Sequence, residues 1–90
     1  MQTYIGNDNY GNPKQQYLTQ LAGMSDSELG IECYSMIYLS AQYDDTPHAD
    51  WHWRVRACFD EAHRRDATER IYTAAYERCY QDHAEPYDEE

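Results

Sequence analysis

Ser25-Asp26-Ser27-Glu28 is the segment that most restricts this chain, because it spells both halves of a helix-starting box. The serine hydroxyl accepts from the backbone N–H three residues on, and the glutamate reaches back to the N–H of the serine. Behind the box, Leu29, Cys33, Met36 and Ile37 recur at three- and four-residue intervals, the spacing of one helix face. Tyr34, Tyr38 and Ala41 form an adjacent stripe, so a helix is predicted over 26–42. Gly30 weakens it by about 1 kcal/mol relative to alanine and admits a close contact with another helix.

The same punctuation recurs along the chain. Asn12-Pro13 reads as an N-cap with proline at the first helical position, opening a short helix over 13–22 that Gly23 stops. Thr46-Pro47 repeats the signal ahead of Trp51, Val55, Cys58, Phe59 and Ala62, which share one apolar face. Asp66-Ala67-Thr68-Glu69 reads as a second capping box, and Ile71, Tyr72, Ala75, Tyr76, Cys79 and Tyr80 follow it to an end near His83. No stretch alternates as a strand does. The expected fold is all-α: a small bundle of three long helices plus one short N-terminal helix. Residues 1–12, rich in Asn and Gly, form a loop or arm; 13–83 form the helical domain; 84–90 form an acidic tail.

Charge enters the argument here. The chain carries 17 Asp and Glu against seven Lys and Arg, a net charge of −10. Ten tyrosines and two tryptophans set it apart from the aromatic-poor composition of disordered acidic chains. The acidity is uneven. Residues 1–53 hold seven acids and one base, Lys14, and 82–90 hold five acids and none. Residues 54–81 nearly balance, with six arginines against five acids. Neither a run of about 18 apolar residues nor a secretory start is present, so cytoplasmic residence is expected and no membrane contact.

Sites of chemistry are sparse. Cys33, Cys58 and Cys79 each fall among apolar helical positions and read as buried free thiols. His48 and His52, four apart with Asp44, Asp45 and Asp50 nearby, have the spacing of a shared metal. No further ligand is fixed by the pattern, and no metal or cofactor is expected. Cys58 and His63 lie about 180° apart around a helix and Asp60-Glu61 face different ways, so no catalytic pair is spelled. A non-enzymatic protein is expected.

The acidic surface is the remaining candidate. Glu28 and Glu32 lie four apart on one helix face, and Asp44, Asp45 and Asp50 follow downstream. Carboxylates at helical spacing approach the charge repeat of a nucleic-acid backbone. A solvated surface that keeps a small protein soluble has the same composition. Ten tyrosines exceed what so small a core can bury, so several must be exposed or at an interface. Trp53 sits about 200° around the helix from Trp51, either packed under residues 1–12 or exposed as an anchor. The expected partner-binding residues are Glu28, Glu32, Asp44, Asp45, Asp50, Trp53, Tyr38 and Tyr43. Interleaved acids among the arginines speak against direct nucleic-acid binding.

In length, charge, aromatic content and the acids Glu28, Glu32, Asp44, Asp45 and Asp50, the chain resembles the small acidic inhibitors of phages and mobile elements. Anti-CRISPR proteins and anti-restriction DNA mimics are of this class, which has no common fold. The resemblance covers the whole chain as a profile and matches no motif residue by residue. It implies a stoichiometric inhibitor that binds a basic host protein or nucleoprotein complex and blocks its nucleic-acid site, in the cytoplasm of the host cell. The alternative from the residues is a helical homodimer or adapter with an aromatic self-interface.

Overall fold

A computed structural model describes residues 4, 6–46 and 48–83, which form four helices and no strand beyond an isolated bridge between Asn7 and Pro13. Helix α1 spans Lys14–Ala22 and α2 spans Asp26–Gln42. Helix α3 spans Asp50–Arg64, and a π-helical turn at Thr68–Thr73 runs directly into α4 at Ala74–His83. The fold is all-α, as expected, although α1 and α4 have nine and ten residues against 17 and 15 for α2 and α3. The tail at 84–90 lies outside the described residues. No described helix is long and apolar enough to cross a membrane.

The box at Ser25 forms as spelled. The Glu28 amide donates to Ser25 Oγ at 3.1 Å, and the Ser25 amide donates to Glu28 Oε1 at 2.8 Å. Gly23 closes α1 through its amide, which reaches the carbonyls of Gln20 and Thr19 at 3.1 and 3.3 Å.

Three other boundaries differ from expectation. Helix α1 begins at Lys14 with Pro13 itself as N-cap and no side-chain cap bond, so Asn12 does not cap it. Helix α3 begins at Asp50 with Ala49 as N-cap, rather than at Thr46-Pro47; Pro47 lies outside the described residues. The segment before α3 is instead a pair of turns, with Thr46 N–H on Tyr43 O and Ala49 N–H on Thr46 O. Asp66-Ala67-Thr68-Glu69 is not a capping box either. Asp66 lies in the left-handed region at φ 58, its amide bonds to His63 O, and the Ala67 amide bonds to Ala62 O. That pattern is a Schellman closure of α3 with aspartate in the place glycine usually takes. Asp66 ends a helix instead of starting one.

Helix α2 packs against both α3 and α4, and α1 packs against α3. Contacts fix the directions: Asp26, at the start of α2, meets Arg65 at the end of α3, so these two run antiparallel. Tyr34 meets Asp82 and Asp26 meets Arg70, so α4 runs parallel to α2. Leu21, Leu29, Cys33 and Cys58 are fully buried, and small residues (Ala57, Ala62, Ala67, Ala75) fill the contacts beside them. All three cysteines are buried and free, as their positions predicted.

Candidate functional site

The acids and aromatics expected to contact a partner separate into two groups. Asp50 is only 7% exposed, so its place in that set is corrected. Both its oxygens accept from the Asn9 amide, at 3.1 and 3.2 Å, and Oδ1 also accepts from Trp53 Nε1 at 3.0 Å. Asn9 Nδ2 adds a bond to His48 O at 3.0 Å. Asp50 thereby ties the N-terminal arm to α3, a buried carboxylate satisfied by three donor contacts.

Trp53 takes the first of its two alternatives. Its ring lies edge-on to Tyr17 at 5.5 Å and beside Tyr4 at 6.2 Å, with Lys14 Nζ over it at 5.1 Å. Next to it the Arg54 guanidinium sits within 5.1–5.5 Å of the Tyr17, Trp51 and Trp53 ring centres and pairs with Asp8 at 3.2 Å. Asp50→Ala should therefore release the arm and cost about 2 kcal/mol, the loss expected when buried donors lose their acceptor. Chemical denaturation measures this, and an unchanged midpoint would contradict the latch.

Glu32 is half-buried and accepts from the Tyr17 hydroxyl at 2.6 Å, so it too is engaged inside the molecule. Glu28 is exposed, but one of its oxygens serves the helix cap. Tyr38 is half-buried against His83, ring centres 4.4 Å apart. Asp44, Asp45 and Tyr43 are exposed together on the connection between α2 and α3. Of that trio, Asp45 Oδ1 lies 3.5 Å from Thr46 Oγ1 and the Tyr43 ring centre lies 6.3 Å from that of Trp51.

His52 is not arranged to bind metal. Its Nε2 lies 3.0 and 2.9 Å from the carbonyls of Tyr43 and Thr46, which only accept, so Nε2 must carry a proton. Nδ1 lies 2.7 Å from Ser40 Oγ. The ring is a staple across the α2–α3 connection. Among the described residues no group of three or more His, Cys, Asp or Glu side chains is placed to hold a metal. Cys58 lies 3.6 Å from the Tyr17 hydroxyl, and the neighbouring Cys33 thiol together with burial pushes its own thiol well above the ordinary range.

The arginines explain where the net charge resides. Arg54 pairs with Asp8, Arg56 with Asp60, and Arg64 with Glu61. Arg65 bridges Glu61 and Asp26 at 2.7 and 2.8 Å, and Arg70 also meets Asp26 at 3.0 Å. Five of the six arginines are thus ion-paired within the fold, sharing the four carboxylates of Asp8, Asp26, Asp60 and Glu61. Among the described residues the exposed acids left without an ion pair include Asp44, Asp45, Asp66, Glu69 and Glu77. The last two were hidden from the sequence by arginines nearby in the chain that turn out to be engaged elsewhere or to face another way.

Three paired acids titrate below ordinary carboxylates. Hydrogen bonds from Arg64 and then Arg65 lower Glu61, those from Arg65 and Arg70 lower Asp26, and the amide of Asn12 foremost lowers Asp8. A carboxylate whose pKa is lower in the folded state adds stability above its unfolded pKa and loses it as pH falls through the folded one. The urea midpoint should hold level from neutral pH to about pH 5 and drop steadily below about pH 4. A midpoint still level at about pH 3 would contradict the assignment.

No protein family, curated protein or solved structure matches the chain significantly.

Proposed function

We propose that the protein is a non-enzymatic acidic inhibitor that binds a basic, nucleic-acid-binding surface of a host defence or nuclease complex, occupying it in place of nucleic acid. The observation that carries this reading is the internal pairing of Arg54, Arg56, Arg64, Arg65 and Arg70. It engages five of the seven positive charges with four carboxylates, and among the described residues it leaves Asp44, Asp45, Asp66, Glu69 and Glu77 exposed without an ion pair. A surface of one sign attracts an oppositely charged partner over several ångströms and raises its association rate. The partner is a basic protein or nucleoprotein complex; like-charge repulsion disfavours nucleic acid itself.

Because Glu28 and Glu32 have internal tasks, the informative variant is Asp44→Asn, Asp45→Asn, Glu69→Gln and Glu77→Gln together. Captured on beads and offered a host-cell extract, the wild-type protein should retain basic nucleic-acid-handling proteins that elute as salt rises. The amide variant should retain them at least about tenfold less. Equal retention would sink the reading.

A helical homodimer is the second reading, and Ile31, 69% exposed at the edge of the α2–α4 groove, favours it. Sedimentation velocity separates the two: a monomer at micromolar concentration removes the dimer.

A further inference from the structure

Tyrosines in this fold have two fates. The hydroxyls of Tyr4, Tyr17 and Tyr34 donate to Asp60, Glu32 and Asp82, each at 2.6 Å, joining separate elements. Tyr76 and Tyr80 differ: they are 53% and 71% exposed, and among the described residues no hydrogen bond reaches either hydroxyl.

These two rings continue a row that runs from α3 across to α4 and touches the core at Tyr72. His63 stacks on Phe59 with ring planes 8° apart, Phe59 meets Tyr72 edge-on at 5.2 Å, and Tyr72 leads to Tyr76 at 6.5 Å. Tyr80 lies one helical turn beyond, on the same side of α4. Tyr72 packs against the core, so the outer rings project from an anchored base. Glu69 and Glu77 precede Tyr72 and Tyr80 by three residues, and both are exposed and, among the described residues, without an ion pair. Arg78 lies on the opposite edge of the helix, lining the groove against α2 with Arg70. Arg56, on the α3 side, is paired with Asp60.

We infer that this outer face of α4 is a docking surface selective for arginine on a basic partner segment, an inference that rests on the proposed function and gives it a second contact site. Charge complementarity selects the occupant. A guanidinium stacks flat on a tyrosine ring while its N–H fork reaches a neighbouring carboxylate, and an ammonium does the second of these but stacks less well. A second copy of this chain is a poor occupant, since Glu69 and Glu77 of each would be pressed toward like charge. The tyrosines thus add short-range selectivity to a surface whose carboxylates supply attraction.

Fluorescence anisotropy with labelled oligoarginine and oligolysine peptides of equal length tests this at fixed ionic strength. Tyr76→Leu with Tyr80→Leu keeps a helix-forming apolar side chain and removes the aromatic face, and its thermal melt should overlay that of the wild type. The double variant should bind oligoarginine about tenfold more weakly, two ring contacts' worth, while oligolysine binding shifts less than about twofold. Equal loss for both peptides, or no loss for either, overturns the inference. Where Asp44→Asn, Asp45→Asn, Glu69→Gln and Glu77→Gln together abolish binding but the leucine pair does not, the docking surface fails and the acidic-inhibitor reading stands. Where the amide variant binds both peptides as the wild type does, both fail. A dimer that the leucine pair dissociates in sedimentation also overturns it, by giving the face a second copy as occupant.

Discussion

Arg65→Ala is expected to destabilise the domain by about 3 kcal/mol, lowering the thermal midpoint by on the order of 15 °C. Its side chain is 14% exposed and holds three elements at once. Nε donates to Glu61 at 2.7 Å, Nη1 to Asp26 at 2.8 Å, and Nη2 to the carbonyls of Leu21 and Met24 at 2.9 and 2.8 Å. Those carbonyls belong to the end of α1 and the turn into α2, so one guanidinium satisfies the chain's first helical corner from the end of α3. Removing it strands the Met24 carbonyl, leaves the Leu21 carbonyl with the Met24 amide alone, and leaves Glu61, 8% exposed, with Arg64 alone. Arg65→Lys keeps the charge and loses the fork, so it should recover less than half of the deficit. Differential scanning calorimetry on the three proteins checks both expectations; a lysine variant as stable as wild type would reduce the role of Arg65 to charge alone.

The second large effect concerns binding. Amides at Asp44, Asp45, Glu69 and Glu77 remove four charges from groups without an ion pair among the described residues, so the fold should keep its stability to within about 0.5 kcal/mol. The partner's association rate should fall by about tenfold and depend less on salt, because steering by exposed charge acts on encounter more than on dissociation. A control with Asp26 and Glu61 as amides removes fewer charges yet should unfold more readily, since those carboxylates hold Arg64, Arg65 and Arg70. The contrast distinguishes charge used for structure from charge offered to a partner. Stopped-flow association across an ionic-strength series reads it.

Local physics explains which parts of the fold were legible in the sequence. The Ser25–Glu28 box forms because both its hydrogen bonds lie within four residues, and the Leu29–Cys33–Met36 spacing places those side chains inward whatever the neighbours are. Asp66-Ala67-Thr68-Glu69 has the same lettering with the opposite meaning. Aspartate tolerates the left-handed conformation, and only the carbonyls of Ala62 and His63 behind it decide that it closes α3. Asp50 was misplaced for a different reason. Its donor Asn9 is 41 residues away, and a carboxylate beside histidines at a helix start looks solvated until the arm folds over it. The candidate surface shifted accordingly. Carboxylates of the first half pair with Tyr17, Arg65 and Arg54 from elsewhere in the chain, while the balanced-looking π-helical turn and α4 present Glu69, Glu77, Tyr76 and Tyr80 outward.

The central claim, that this protein stands in for nucleic acid on a basic surface, is tested most directly by displacement. Host proteins captured on the immobilised wild-type chain are challenged with a short DNA duplex at constant ionic strength, beside an equal charge concentration of free glutamate. The duplex should release them in a dose-dependent manner, and glutamate should not. Captured proteins that remain bound at saturating duplex would contradict the claim.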